Sequence, residues 1–432
     1  MTSDPGDKQR PRGSDPKPPG PGEVPHPQSQ ADEAQPRPAP QDAAGLGAAV
    51  ESTAQGSVAE TVGFSVPAPS AEPEESLERE APRGFWGEAW LRFRRRRLAM
   101  TALLFVLALA LVAIFSPAIV GTKPIVCKYK GSIYFPCLGY FNRGWENAIF
   151  TTDRFRNVYV GNLEEKDPDS WAVWPLIYQD PQRRVREGEW PGQPENPTRN
   201  YGTPNRYNLF GTTPAGVDVF AIMVHGTRIA LLVGFVSMGI AGFIGVTVGA
   251  LAGYFRGWVD ALLSRLIEIV LCIPTLVLIL ALIAVLPKVT IWHLMAAIGL
   301  TGWTSIARLT RAEFIKLREA DFVAAARALG AGSGRIMFRH ILRNAMAPVL
   351  VPLTFGIASA ILIEGGLSFL GFGPPPPTPS WGRILALGQQ NNTMWWLIVF
   401  PGLAIFLTVL AYNLIGEGLQ EATDPRLREA GR

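Results

Sequence analysis

The sequence predicts an all-α membrane protein with six transmembrane helices, a small, mostly β or irregular extracytoplasmic insert, and a disordered N-terminal tail. Composition is the first reason, because 48% of the 432 residues are hydrophobic and 18% are charged, below the roughly 25% charged residues of soluble domains. The second reason is that several uncharged runs approach the ~20 residues that cross a bilayer. The third is that Lys and Arg are concentrated between alternate runs. The net charge of +4 is too small to indicate a nucleic-acid partner.

The first 120 residues combine a tail with a membrane entry. Residues 1–84 hold 15 of the 37 prolines, and their composition buries too little apolar surface to offset the entropy of ordering. Residues 85–120 begin with aromatic side chains and four arginines at 94–97, which predict an interfacial helix that ends at anionic headgroups. The uncharged run 98–120 is long enough to span the bilayer, and the arginines before it place the tail in the cytoplasm.

Residues 121–224 form the predicted extracytoplasmic insert, in which turn-forming residues alternate with Trp and Tyr. Alternating runs at 128–135 and 157–160 predict short strands. Cys127 and Cys137 flank the first run, and both a disulfide and two free thiols are compatible with the sequence. Four aromatic residues form either the hydrophobic core of the insert, which we favour, or a platform for stacking a sugar or peptide. These are Trp171, Trp174, Trp190 and Tyr178.

A five-helix core at 225–417 precedes a cytoplasmic tail at 418–432. Its helices are predicted from apolar runs at 229–255, 266–286, 291–307 and 345–363, and from a last run that ends near residue 415. In the first run glycine recurs every four residues, at Gly245, Gly249 and Gly253, which predicts close packing against another helix.

Two carboxylates interrupt this apolar core. Glu268 lies three residues after Arg265, which favours an ion pair on one helix face over a place on a path through the membrane. Glu364 opens a Gly- and Pro-rich stretch at 363–382 that predicts an irregular re-entrant loop. Glu364, with Ser368 one turn later, therefore either lines a translocation path or is buried against a polar partner.

The loop 308–344 lies between two apolar runs and carries eight Lys and Arg residues, so it cannot span a bilayer. Residues 321–329 predict a helix of about 13 Å, which glycines at every second position from Gly330 then end. One face of this helix contains Phe322, Ala326 and Leu329. A short rod on a glycine elbow suits docking onto another protein, and an ordinary basic loop is the alternative. The Lys and Arg distribution places this loop, the tail and the C-terminus in the cytoplasm.

Several motifs resemble permease subunits of ATP-binding-cassette (ABC) importers. The loop resembles the motif E-A-A-x-x-x-G, with Ala324 in place of its glutamate and Arg343 in place of a later proline. The stretch 208–234 resembles the signature G-T-D-x-x-G-R-D of the dipeptide/oligopeptide branch, and 363–382 resembles its E-x-x-L-S-F-L-G-L-G-x-x-P-P-x-P-S-W-G. The insert is similar to that of microcin C-type peptide importer subunits.

This resemblance implies the type I ABC importer permease fold in the inner membrane, with both termini cytoplasmic. It implies transport of peptides or similar small solutes, or alternatively of nickel, with no cofactor and no enzymatic activity in this chain. The implied partners are a homologous permease in a heterodimer, cytosolic ABC ATPases, an extracytoplasmic binding protein and the lipid bilayer. The residues implied in ATPase docking are Glu319, Asp321, Phe322, Ala324, Ala325, Ala326, Arg327, Leu329, Gly330, Arg339 and His340.

Other function classes find less support in the residues. The sequence has no G-x-x-x-x-G-K-[ST] phosphate loop, so energy for transport must come from a partner. No metal-binding cluster is expected, because the four histidines are scattered through the chain. A secondary transporter or channel would need ionisable residues along the helices, where Glu268 and Glu364 qualify. A membrane-anchored scaffold acting through the insert would not need the glycine-broken rod.

Overall fold

The computed structural model describes residues 85–142, 145, 167–185 and 202–423. The predicted tail at 1–84, the run 157–160, Trp190 and residues 424–432 lie outside these ranges. The helices are α1 Phe85–Arg95, α2 Arg97–Ile119, α3 Val219–Phe255, α4 Gly257–Leu271, α5 Thr275–Ala284, α6 Ile291–Arg318, α7 Asp321–Ala328, α8 Ser333–Phe369, α9 Trp381–Gln390 and α10 Trp396–Thr423. The strands are β1 Val126–Tyr129, β2 Ser132–Tyr134 and β3 Trp171–Val173.

Four of the described helices, α2, α3, α8 and α10, are long and apolar enough to cross a membrane. Helices α4 and α5 make a fifth if the bent pair counts as one span. Helix α6 differs because its apolar part, 291–307, is followed in the same helix by Arg308, Arg311, Lys316 and Arg318.

The predicted third helix at 266–286 is wrong as a single rod. Helices α4 and α5 meet at 85° across a break that ends at Pro274. A proline inside a helix lacks the N–H for the i→i−4 bond, and its ring clashes with the preceding turn. Pro274 therefore begins a new helix here instead of bending an existing one.

The helix at 229–255 begins ten residues before its predicted start, at Val219. The Asp218 carboxylate accepts a hydrogen bond of 2.7 Å from the Ala221 backbone N–H. This N-cap satisfies a backbone donor that the first helical turn would otherwise leave unpaired.

Three further helices are longer than their apolar runs. Helix α6 continues to Arg318, α8 to Phe369 and α10 to Thr423, so the loop predicted from 308 begins only after Arg318. The re-entrant stretch predicted at 363–382 is irregular only between Phe369 and Trp381, and α9 follows it. Hydropathy marks the part of a helix that lies in lipid, not the whole helix.

Helices α3 and α6 form the closest pair of the bundle. A methyl group on Gly249 would lie 2.4 Å from the Ala307 carbonyl oxygen, and one on Gly253 would lie 2.6 Å from Phe314 Cβ. Helix α6 contributes a glycine to the same contact, since a methyl group on Gly299 would lie 2.8 Å from the Ser237 carbonyl oxygen of α3. The predicted small-residue face is confirmed, because glycine is what lets these two backbones approach.

The insert contains a three-stranded antiparallel sheet in the order β2-β1-β3. The β1–β2 hairpin turns at Lys130 and Gly131, both with positive φ, as a two-residue hairpin turn requires. Cys127 and Cys137 are free, buried thiols, and burial raises the pKa of both, that of Cys127 to about 11.

The aromatic residues of the insert divide between core and surface. Tyr178 is buried with Trp174 edge-on to it, the ring centroids 5.6 Å apart. Trp171 on β3 is exposed. The predicted aromatic core is therefore present for part of this set.

Candidate functional site

Helix α7 confirms the helix predicted at 321–329, with Leu329 as its C-cap. Val323 and Ala326 are buried, and the other side chains of α7 are exposed. The two buried residues pack in one apolar cluster with Phe314 of α6 and with Ile336 and Ile341 at the start of α8. This cluster fixes one side of α7 to the bundle.

The outward side of α7 is apolar as well. Phe322 is 38% exposed and Leu329 is 87% exposed. The predicted face of Phe322, Ala326 and Leu329 is thus divided, since Ala326 points into the cluster and the other two point away. Five further residues named from the motif are exposed around them: Asp321, Ala324, Ala325, Arg327 and Gly330.

A Schellman motif ends α7. The Ala331 N–H donates to the Ala326 carbonyl at 3.0 Å, and the Gly330 N–H donates to the Arg327 carbonyl at 2.9 Å. Gly330 has φ +78°, the left-handed conformation that a side chain disfavours. The predicted glycine break is confirmed at this position.

The other end of α7 is tied to the turn between α3 and α4. The Glu319 carboxylate pairs with the Arg256 guanidinium at 3.0 Å. Arg318 donates a hydrogen bond of 2.7 Å to the Tyr254 carbonyl. Glu319 therefore has an ion-pair partner within this chain.

The start of α8 continues the exposed surface. Residues Ile336–Ile341 form a π-helical turn, which buries Ile336 and Ile341 and leaves Phe338 and Arg339 exposed, with His340 half-buried. Arg335 and Arg343, one turn on either side of Arg339, are exposed too. A basic stripe therefore runs from α7 along the start of α8.

The carboxylates of the core have different environments. Arg265 donates to Glu268 at 2.7 Å, and both side chains are exposed, so the pair that their spacing predicts is present. Glu364 is buried and accepts hydrogen bonds from the Ser368 hydroxyl at 2.7 Å and the Ser380 hydroxyl at 2.9 Å. The two serines hold the end of the irregular stretch against α8.

Two tryptophans fasten α3 and the segment before it to α9 and α10. The Trp381 indole N–H donates to the Met223 carbonyl, and the Trp396 indole N–H donates to the Thr212 carbonyl, both at 3.0 Å. Gly226 leaves room for the first ring, since a methyl group there would lie 2.8 Å from it. The sequence carries both halves of this contact, glycines in the 208–234 motif and Trp381 in the S-W-G motif. Only the folded structure shows that the two motifs pack against each other.

A polar cluster fastens the insert to α3. The Arg228 guanidinium donates to the Tyr140 carbonyl at 3.1 Å, and a ring nitrogen of His225 lies 2.8 Å from the Val120 carbonyl oxygen. The Tyr140 hydroxyl donates to the Asp180 carboxylate at 3.2 Å, and burial raises the pKa of this tyrosine well above its usual value. Arg228 and Asp218 therefore act as structural anchors of this region.

Within the described ranges, no three His, Cys, Asp or Glu side chains come together as a metal-binding group.

The long apolar helices make the protein a multi-pass helical membrane component, and the family matches below give it the type I ABC importer permease fold. Residues 245–429 match the family described as "Binding-protein-dependent transport system inner membrane component", and residues 84–128 match the "N-terminal TM domain of oligopeptide transport permease C". The chain belongs to the first of these families, because two relatives are 33% and 35% identical to it over nearly their whole lengths.

Three curated relatives are similar to this chain. The Peptidoglycan transport system permease protein YejE of Agrobacterium fabrum is 33% identical over 78% of this chain and 92% of its own length. The Inner membrane ABC transporter permease protein YejE of Escherichia coli is 35% identical over 78% of this chain and 96% of its own length. The Dipeptide transport system permease protein DppC of Alkalihalophilus pseudofirmus is 39% identical over 54% of this chain and 77% of its own length.

The chain is accordingly a permease subunit of an ABC importer, a transport component and not an enzyme. Such subunits work with an ATPase and with a solute-binding protein.

Proposed function

We propose that this permease imports peptides, or small solutes of similar chemistry, and that α7 with its flanks is the docking site for the partner ATPase. The names of the relatives support the substrate class, since they are described as dipeptide and peptidoglycan transport permeases. An extracytoplasmic binding protein delivers the solute to the outer side of the bundle.

The observation that carries the docking site is the two-sided construction of α7. Its inner side is held by Val323 and Ala326, while Phe322 and Leu329 are exposed beyond the charged ends of the spans. Two large exposed apolar side chains on one short helix, in the stretch that resembles the importer motif, support an interface that a partner covers.

The charges around this helix specify the chemistry of the partner groove. Ala324 occupies the place of the motif's glutamate, and Arg327, Arg335, Arg339 and Arg343 are exposed nearby. We expect an ATPase groove with an apolar pocket for Leu329 and an acidic rim, because complementary charge sets register and specificity.

The proposed topology has six crossings, with the apolar start of α6 as one of them and the α4–α5 pair as another. Both termini and α7 are cytoplasmic, and the sheet of the insert is outside, as the positive-inside rule favours. A homologous permease completes a heterodimer. Closure of the ATPases on ATP draws the docking helices together and tips the bundle outward, which is alternating access.

Within this scheme Glu364 and Ser368 act as a buried polar clasp, and the Arg265–Glu268 pair as a structural pair on α4. Their partners lie within this chain, so their substitution is expected to affect folding before it affects solute choice.

The test is co-purification and ATP-driven uptake with the full transporter in proteoliposomes. Leu329→Ser should reduce ATPase co-purification and peptide uptake together. Leu176→Ser is the matched control, because Leu176 is 85% exposed and Leu329 is 87% exposed, but Leu176 lies in the extracytoplasmic insert.

Equal ATPase recovery from both variants would contradict the docking site. Uptake that follows an ion gradient without ATP would identify a secondary transporter instead. Uptake of nickel but of no peptide in a substrate panel would overturn the peptide assignment alone.

A further inference from the structure

Helix α7 is linked to α3 and α6, which pack closely against each other. The glycines of α3 leave no space between the two backbones, and α7 follows α6 after Glu319 and Ala320. Arg318 and Glu319 add polar links back to the end of α3. A displacement of α7 therefore moves α3 and α6 with it, because packed elements transmit strain with little compression.

The α4–α5 arm is joined to α3 and α6 through a bent connection and a few buried side chains. It leaves α3 through Arg256 and Gly257, whose φ angles are +53° and +64°. Helix α4 buries Ile267, and α5 buries Ile279 and Ile283, while their remaining side chains are partly or fully exposed. We call the Arg256–Gly257 connection the hinge, because a few residues at the end of an element absorb the φ and ψ changes when segments move.

One ion pair joins the arm to α6 beyond the hinge. The Arg311 guanidinium of α6 makes a bidentate contact with the Asp260 carboxylate of α4. Its Nε donates to Oδ1 at 2.5 Å, and its Nη2 donates to Oδ2 at 2.8 Å. Ser264, one turn further along α4, donates to Asp260 Oδ1 at 3.1 Å. The Asp260 side chain is 20% exposed, so solvent screens the pair only in part. A two-pronged contact of this kind fixes orientation as well as distance.

We propose that Asp260 and Arg311 form a strut that makes the α4–α5 arm follow the docking helix during transport. Both are positioning residues, since the contacts that carry the proposal join them to each other and to Ser264. The inference rests on the proposed docking function of α7 and extends it to the route by which movement at α7 reaches the membrane.

The other ion pairs near the hinge cannot serve in this way. The Arg265–Glu268 pair joins α4 to itself. The Arg256–Glu319 pair lies at the hinge itself, and both of its side chains are exposed. Solvent therefore screens this pair, and it does not hold any part of α4 to α6. The Asp260–Arg311 pair is the one of these three that lies beyond the hinge and joins two helices.

The test compares solute uptake with ATP hydrolysis in the assembled transporter. Asp260→Asn and Arg311→Gln should each lower the ratio of uptake to ATP hydrolysed by about tenfold, the scale of losing a charge-assisted hydrogen bond. Exchange of the two charges, Asp260→Arg with Arg311→Asp, should restore much of the ratio. Arg308→Gln is the control, because it removes an exposed arginine one turn away on α6 and should leave the ratio near that of the wild type.

A covalent replacement of the strut tests the idea even where single variants assemble poorly. In a Cys272→Ser background, the double variant Asp260→Cys and Arg311→Cys should be poorly coupled, and a short bifunctional thiol reagent should restore coupling. A ratio that stays at the wild-type value in the single variants, or that does not rise on cross-linking, overturns the strut. Absence of ATP-dependent uptake in the wild type would instead overturn the proposed function.

Discussion

Gly330→Val tests the docking helix through its backbone alone. A methyl group on Gly330 would meet nothing within 4 Å, but the residue has φ +78°. An L-residue in the left-handed region costs about 1–2 kcal/mol, and a β-branched one more. Escape to negative φ would break the two closing bonds to Arg327 and Ala326, each contributing about 0.5–1.5 kcal/mol.

A cost near 2 kcal/mol is large for this element. Helix α7 has 8 residues, fewer than an isolated helix needs for stability, and two buried side chains hold it. About 2 kcal/mol corresponds to an approximately 30-fold loss in the population of ordered α7. We therefore expect faster amide exchange at 321–331 and a large loss of ATP-driven uptake, with membrane insertion unchanged.

Gly332→Val is the matched control for this substitution. Gly332 also has open space around it, but its φ is −68° and its ψ is 155°, an extended conformation that valine adopts readily. This variant should transport and exchange like the wild type. If the two variants were indistinguishable in uptake and exchange, the reasoning about the left-handed cap would be refuted.

Three further predictions concern the bundle and the insert. Gly249→Ala should lower the unfolding temperature of the purified protein, because overpacking typically costs about 1–3 kcal/mol. Gly239→Ala should not lower it, because a methyl group there would have nothing within 4 Å. Equal unfolding temperatures for the two variants would contradict close α3–α6 packing. Trp396→Phe should destabilise by about 1–3 kcal/mol in denaturant unfolding by orphaning the Thr212 carbonyl, and Trp395→Phe, at an exposed ring, should not. The two buried insert cysteines should resist an impermeant maleimide until the protein is denatured, because burial raises their pKa and thiolates are the reactive form; labelling that also requires a reductant would establish a disulfide.

The sequence predicted the features that follow from local periodicity and from glycine. The rod at 321–329, its end at Gly330 and the glycine face of α3 are consequences of spacing within one segment, and the structure confirms them. The i, i+3 spacing of Arg265 and Glu268 likewise predicted their pair.

Helix bounds were less predictable because hydropathy reports burial in lipid and not backbone hydrogen bonding. Helix α6 therefore extends to Arg318 through charged residues, and the cap at Asp218 begins α3 before its apolar run. The break at Pro274 was missed for a related reason, since proline either bends a helix or ends it, depending on the packing around it.

Contacts between distant segments could not be predicted from one sequence. The Trp381 and Trp396 bonds span 158 and 184 residues, and the Asp260–Arg311 pair spans 51. The burial of Ala326 apart from Phe322 and Leu329 could not be predicted for the same reason, because residues of α6 and α8 bury it.

The most direct measurement places a photo-crosslinker at a Leu329→Cys substitution in the assembled transporter, in a Cys272→Ser background. A covalent product with the ATPase, together with none from the same reagent at Leu176→Cys, is the predicted result. A product with the extracytoplasmic binding protein, or no ATPase product at either position, would contradict a cytoplasmic docking helix.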